Sequence, residues 1–242
     1  MSKLYLFLAI TVVPLLTFAC SNDNEDTNQQ EQADTNQSNT GNENNNNNLS
    51  DTAKALKQKV EYVQLETEFG TILFWLYNET PKHKENFEKL ASEGFYDGTT
   101  FHRIIDGFMI QGGDPNSKDE DPNNDGQGGP GYTIPAEFNP EFKHVFGAVA
   151  AARMADQVNP QKESSGSQFY IVENKQGTPF LDNNYTVFGQ VFSGFDVIET
   201  IAVQPKNQRD RPLEDIEMTV SIKKDKVKNL VKDYDFEVDW VL

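Results

Sequence analysis

The chain has 242 residues, 36% of them hydrophobic, and carries 21 Lys and Arg against 38 Asp and Glu, a formal net charge of −17. That length allows one or two domains. The acidic balance argues against nucleic acid as a partner, because a phosphate backbone is met by clustered Lys and Arg; neutral peptides are not excluded.

Residues 1–19 read as an export signal. Lys3 is the only charge, and an apolar run fills residues 4–19, with Pro14 inside it. The run is shorter than the ~20 apolar residues of a spanning helix and suits a signal-peptide core. Cys20 follows, and it is the only cysteine, so no intramolecular disulfide can form. Its position resembles that of the lipidated cysteine of a bacterial lipoprotein. Thr17 and Phe18 depart from the usual residues of such a signal, and an uncleaved anchor is the other reading. Both put the protein outside the cytoplasm, tethered to the cell membrane; a lipid tether needs more than one acyl chain. From Cys20 to residue 50 the chain is Asn-rich, with no Lys or Arg. Such a linker buries too little apolar surface to offset its chain entropy, so disorder is expected.

A short helix is predicted over residues 51–59. Residues 60–68 and 71–77 alternate as a hairpin split at Phe69-Gly70. A helix over residues 81–92 has Thr80 as its N-cap, Pro81 at the first position, and Phe87, Leu90 and Ala91 on one face. Residues 98–111 read as two strands bent around Asp106-Gly107, and residues 112–131 as a long exposed loop. Strands follow at 147–153, 167–172, 187–191 and 216–222. A second helix spans 194–202, with Phe195, Ile198 and Ile201 on one face. Short strands and two isolated helices suggest a mainly β fold, a closed antiparallel barrel with capping helices. Residues 224–242 are an extension, either a helix packed on the domain or a tail. The predicted division is therefore signal 1–19, lipidated Cys20 and linker 20–50, domain 51–223 and extension 224–242.

Residues 101–114 are the most informative stretch. Arg103 lies among Phe101, Ile104, Phe108 and Met109, with Gln111 beyond. Arginine keeps its charge and presents five donors in a rigid fork. Beside an apolar wall it suits the capture of a carbonyl oxygen next to an apolar ring, which is what a proline-containing peptide offers. The alternative is a strand arginine that snorkels to solvent.

Four blocks in order resolve this: Phe101-His102-Arg103-Ile104-Ile105 with Gly107-Phe108-Met109-Ile110-Gln111-Gly112-Gly113-Asp114; Gly147-Ala148-Val149-Ala150-Ala151-Ala152-Arg153; Gly166-Ser167-Gln168-Phe169-Tyr170-Ile171; and Leu181-Asp182 with Val187-Phe188-Gly189. Together they resemble the cyclophilins, the peptidyl-prolyl cis–trans isomerases. The resemblance covers about residues 60–223. It implies an eight-stranded antiparallel barrel with a helix over each end, and isomerase activity with no cofactor and no metal. It implies a catalytic Arg103 acting with Phe108 and Gln111, and a prolyl pocket of Phe108, Met109, Tyr170 and Leu181. Gln168, with Gln111, would orient the peptide backbone. Ala152 and Arg153 would pair with the peptide as a strand edge, and Phe180 and Tyr185 would form the rim. Three residues depart from the family pattern. Tyr170 stands for the usual Phe. Phe180 stands for the Trp of eukaryotic members, which implies weak cyclosporin binding. Arg153 stands for an Asn and adds charge to the rim. The implied partners are proline-containing peptides and unfolded exported proteins, engaged by a monomer. A membrane-tethered chaperone or binding module with incidental isomerase activity is the rival reading.

Other candidates are weaker. His102 next to the arginine invites a general-base role, but bond rotation needs no proton transfer, so packing and hydrogen bonding are expected of it. Ser164, Ser165 and Ser167 lack a nucleophile-elbow motif and read as a loop entering a strand. Asp121-Pro122-Asn123-Asn124-Asp125-Gly126 fits the first half of a calcium loop, but the twelfth position is Tyr132 instead of Glu.

Overall fold

The structure, a computed structural model, describes residues 51–234 and 236–238. The expected export segment, Cys20, the linker to residue 50, and Trp240 and Val241 lie outside the described residues. Among the described residues no helix is long and apolar enough to cross a membrane.

A helical turn at residues 51–55 (α1) precedes β1 (Lys59–Thr67) and β2 (Gly70–Leu76). These two strands form the expected hairpin, with Thr67 opposite Gly70. Gly70 sits at φ +131°, and a Cβ there would lie 2.8 Å from Val197, so the turn needs glycine for both conformation and space.

α2 (Pro81–Ser92) has the predicted bounds and buries His83, Phe87, Leu90 and Ala91. Its cap differs from the expectation. Thr80 makes no side-chain cap; its hydroxyl donates back to the Tyr77 carbonyl at 3.4 Å. The cap is Glu137, whose two carboxylate oxygens accept from the Lys82 and His83 backbone N–H groups at 3.1 and 3.0 Å. A carboxylate does this better than a hydroxyl, because it answers two orphan donors and the positive end of the helix dipole together. Glu137 also meets His83 Nδ1 at 2.6 Å, and His83 Nε2 meets the Ser164 hydroxyl at 2.8 Å.

The remaining strands are β3 (Thr99–Thr100), β4 (Arg103–Ile105), β5 (Met109–Gly112), β6 (Thr133–Ile134), β7 (Ala148–Ala151), β8 (Ser164–Ser165), β9 (Phe169–Val172), β10 (Val187–Ser193) and β11 (Glu217–Lys226). α3 (Phe195–Ala202) follows β10, and β6 and β8 pair separately. The main sheet runs β3-β11-β1-β2-β10-β7-β9-β5-β4, antiparallel throughout. Its two ends are successive pieces of one chain segment. Thr100 pairs with Glu217 of β11, and Arg103 pairs with Gln111 of β5. The segment carrying β3 and β4 therefore curls the sheet onto itself, and counting it as one bent strand turns nine into the expected eight.

Strand alternation decides what faces inward. Ile104, Ile110, Ile171 and Val149 are adjacent across β4, β5, β9 and β7, and all are fully buried in the barrel core. The apolar faces of α2 and α3 pack on that core through Phe87, Leu90, Ile198 and Ile201. The next row across the same strands, Arg103, Gln111, Tyr170 and Ala150, must point to the outer face.

β11 continues past residue 223 to Lys226, paired with β1 from Lys59↔Lys226 to Glu66↔Thr219. It leads into α4 (Val227–Asp233). Val227, Leu230 and Phe236 form a second buried cluster with Val60, Leu73, Trp75 and Phe192. Of the two readings of the extension, the packed helix is the one observed.

Candidate active site

The outward row and its neighbours form one concave site. Arg103, Phe108, Met109, Gln111, Ala152, Arg153, Tyr170, Leu181 and Tyr185 line a single cavity of about 140 Å³. Residues from four separate sequence blocks meet here because the antiparallel register sets Arg103 beside Gln111 and Gln111 beside Tyr170.

β4 is pinned along its free edge. The Ile104 N–H donates to the Asp210 carbonyl at 2.8 Å, and Lys206 donates to the Ile104 carbonyl at 2.9 Å while pairing with Asp210. Arg103 itself has no carboxylate within ion-pair reach among the described residues. Its guanidinium is therefore free for an incoming oxygen. Phe108 is carried by the Asp106-Gly107 turn. Glu173 holds that turn by accepting from the Gly107 N–H at 2.6 Å, and Asn174 donates to the Gly107 carbonyl at 2.8 Å.

The two glutamines form a chain. Gln168 donates to the Gly128 carbonyl at 2.8 Å, and Gln111 donates to the Gln168 side-chain oxygen at 3.2 Å. One Gln111 amide hydrogen is thus committed to Gln168, which leaves its other hydrogen and its oxygen for a ligand. Phe180 is 69% exposed and stacks on Phe108 at 5.9 Å, a rim position.

The structure sharpens the reading of three residues. The Arg153 charge sits at the rim, but it is committed within the protein. Its guanidinium lies over the Tyr185 ring at 4.5 Å, pairs with Asp156 at 2.6 Å, and donates to the Asn184 and Met154 carbonyls. Ala152 is not an open strand edge. Its N–H donates to the Gln168 carbonyl at 3.0 Å, and its carbonyl accepts from the Ser165 N–H at 2.8 Å. His102 is buried as expected, but among the described residues neither ring nitrogen makes a well-formed hydrogen bond; only the Thr100 backbone offers a weak contact. Burial holds it neutral, with its pKa below the ordinary value.

A wider cavity of about 710 Å³ opens on the other side of Arg103 and Gln111, between residues 122–127 and 207–211. Arg211 joins its walls, reaching Asp125 at 2.5 Å and Asp215 at 2.8 Å. Asp125 is thus engaged in an ion pair. Tyr132 donates to Asn86 at 2.6 Å. Among the described residues no three His, Cys, Asp or Glu side chains are grouped so as to hold a metal ion.

The sequence and the fold match known proteins. The family model described as cyclophilin type peptidyl-prolyl cis-trans isomerase/CLD matches residues 62–222. The chain belongs to the cyclophilin-type peptidyl-prolyl cis-trans isomerase family. A Neurospora crassa peptidyl-prolyl cis-trans isomerase-like 1 is 38% identical over 160 residues, 64% of this chain and 90% of that protein. A Staphylococcus aureus protein that carries the isomerase name provisionally is 34% identical over 193 residues, 67% of this chain and 91% of its own. A Cryptosporidium parvum cyclophilin type isomerase, crystallised in the presence of the dipeptide Ala-Pro, superposes with TM-score 0.59 at 30% identity, covering 67% of this chain and 98% of that one. The cyclophilin resemblance, the barrel and the enzyme class are therefore shown.

Sequence reading passed over four residues that shape this cyclophilin site. Glu173 and Asn174 lie just past a matching block, beyond Val172, and no sequence pattern gives them a role. Asp182 was in a recognised block without an assigned function. His144 carried no signal at all.

Proposed function

We propose that this cyclophilin accelerates X-Pro rotation in exported proteins by non-covalent stabilisation of the twisted amide. The observation that carries the reading is an unpaired Arg103 guanidinium on the lip of an apolar pocket built by Phe108, Met109, Tyr170 and Leu181. Rotation about the amide faces a barrier of ~18–20 kcal/mol from resonance. As the bond twists, the proline nitrogen gains a lone pair that can accept a hydrogen bond. A fixed donor that serves the twisted amide better than the planar one lowers the barrier. Arg103 supplies the donor, and the pocket grips the proline ring. The Gln111 oxygen, left free by Gln168, accepts a peptide N–H. The free backbone at Arg153, beyond the paired Ala152, offers the peptide its strand contact. The Ala-Pro dipeptide used with the Cryptosporidium relative is consistent with this pocket as the prolyl site.

Exported clients and a membrane tether rest on the apolar segment 4–19 and on Cys20. The chaperone reading is less supported, because the two regions free for it are engaged: the long loop is tied down through Asp125 and Arg211, and α4 is packed on Trp75 and Phe192. In a protease-free isomerisation assay, Arg103→Ala should lose about 10²–10³-fold in turnover, the usual effect of removing one preorganised donor. Near-normal turnover in that variant would refute the mechanism. Cys20→Ala should abolish lipid attachment, read by mass spectrometry of the membrane fraction; an unchanged N-terminal mass would refute lipidation in favour of an uncleaved anchor.

A further inference from the structure

Behind the prolyl pocket lies a hydrogen-bonded relay that the isomerase chemistry does not use directly. The His144 side chain is 0% exposed. Its Nδ1 lies 2.8 Å from an Asp182 carboxylate oxygen, and the same oxygen accepts from the His144 backbone N–H at 2.9 Å. An ionised carboxylate only accepts, so Nδ1 carries the hydrogen and Nε2 is left as a bare acceptor. The Tyr170 hydroxyl lies 3.0 Å from Nε2, so it donates there. The two rings are nearly parallel, 13° apart.

The relay joins two walls of the pocket. Tyr170 stands on β9. Asp182 directly follows Leu181, and the Thr178 N–H that opens the Leu181 turn donates to the His144 carbonyl at 2.7 Å. Gly177 allows that contact, since a Cβ there would lie 2.6 Å from the His144 oxygen. Among the described residues no other side-chain hydrogen bond connects β9 with this turn.

We infer that His144, oriented by Asp182, is the positioning residue of the prolyl pocket: it sets the spacing of Tyr170 and Leu181 and turns the Tyr170 hydroxyl hydrogen away from the proline ring. The inference rests on the isomerase reading of this pocket. It explains how a tyrosine serves as an apolar wall. With His144 present the hydroxyl is satisfied behind the wall. Without it, a buried hydroxyl is orphaned, and the open direction is the pocket.

The consequence is a specific pattern of coupling. Tyr170→Phe removes hydroxyl and orphan together while keeping the ring, and its KM for an X-Pro peptide is the reference for the double variant. His144→Phe should raise KM about tenfold, with a smaller change in kcat. Adding His144→Phe to Tyr170→Phe should then leave KM within about threefold of the Tyr170→Phe value. A merely structural His144 gives the opposite result: the double variant stays as impaired as His144→Phe alone, and that result overturns the inference. Nitrogen-15 NMR of the wild-type protein tests it without any variant. His144 should show a protonated Nδ1 and a bare Nε2, and a protonated Nε2 overturns it. Peptide Kd from calorimetry should rank the variants as KM does. Wild-type protein that binds the peptide but shows no turnover would refute the isomerase reading, and the Kd ranking would then decide the positioning role separately.

Discussion

Arg153 shows how far a residue's place can differ from its type. A surface arginine beside a peptide cleft suggests a free charge for substrate. In the fold, its guanidinium is laid on the Tyr185 ring and committed to Asp156, Asn184 and Met154. Its work is to hold the rim. A cation over a tyrosine face contributes about 0.5–2 kcal/mol, depending on desolvation. Arg153→Ala should therefore lower unfolding stability by about 1 kcal/mol, read by urea denaturation, and raise peptide KM by loosening Tyr185. Arg153→Lys should not restore KM, because an ammonium lacks the planar fork that stacks and donates to several carbonyls at once. Full rescue by lysine would show that charge alone matters here.

At the scale of the element, α2 is a helix whose body is written locally and whose start is not. Pro81 and the spacing of Phe87, Leu90 and Ala91 place it correctly. Its cap comes from Glu137, far along the chain, and ties α2 through His83 to Ser164 of β8. Loss of an N-cap typically costs about 0.5–2 kcal/mol. Glu137→Ala should sit at the upper end, because it also strips the partner from a buried His83 Nδ1. Thr80→Ala should cost less, since it removes only a buried methyl and a long hydroxyl contact. Urea midpoints of the two variants separate these outcomes, and a Thr80→Ala loss equal to that of Glu137→Ala would restore Thr80 as the cap. α4 is a second case. Leu230, 1% exposed, joins it to the Trp75 and Phe192 cluster. Leu230→Ala should cost about 2–5 kcal/mol, the range for a buried leucine, with a change in tryptophan fluorescence on native Trp75.

For the whole molecule, acid is the condition to which the fold should respond. All three histidines, His83, His102 and His144, are buried, and burial holds each pKa below the ordinary 6.5; Glu137 and Asp182 only partly offset this at His83 and His144. Below pH 6.5 the unfolded chain therefore takes up protons that the folded chain refuses. Stability is complete above about pH 6.5 and falls as pH drops through that value. The decline continues into the carboxylate range: burial opposes ionisation of Glu137 and Asp182, but their hydrogen bonds from His83 and His144 outweigh it and hold both pKa values low. Melting temperature should thus be flat from pH 8 to 7 and decrease steadily toward pH 5. A melting temperature that rose on acidification would contradict this sign.

The sequence by itself determined the barrel's strands, both main helices and half of the pocket. Strand alternation and turn residues are local properties, and Arg103, Phe108, Met109 and Gln111 lie within one short stretch. The ordered blocks also carried Gln168, Tyr170 and Leu181 by resemblance. The tertiary structure alone decided which partners these residues keep. The cap of α2, the sequestered Arg153, the closed backbone of Ala152 and the His144 relay all join residues distant in sequence. Their bonds depend on register and on the curl of the sheet, which no local pattern specifies. Tyr170 is the clearest case. From sequence it is an extra hydroxyl in an apolar pocket, and only the fold shows that His144 faces it from behind.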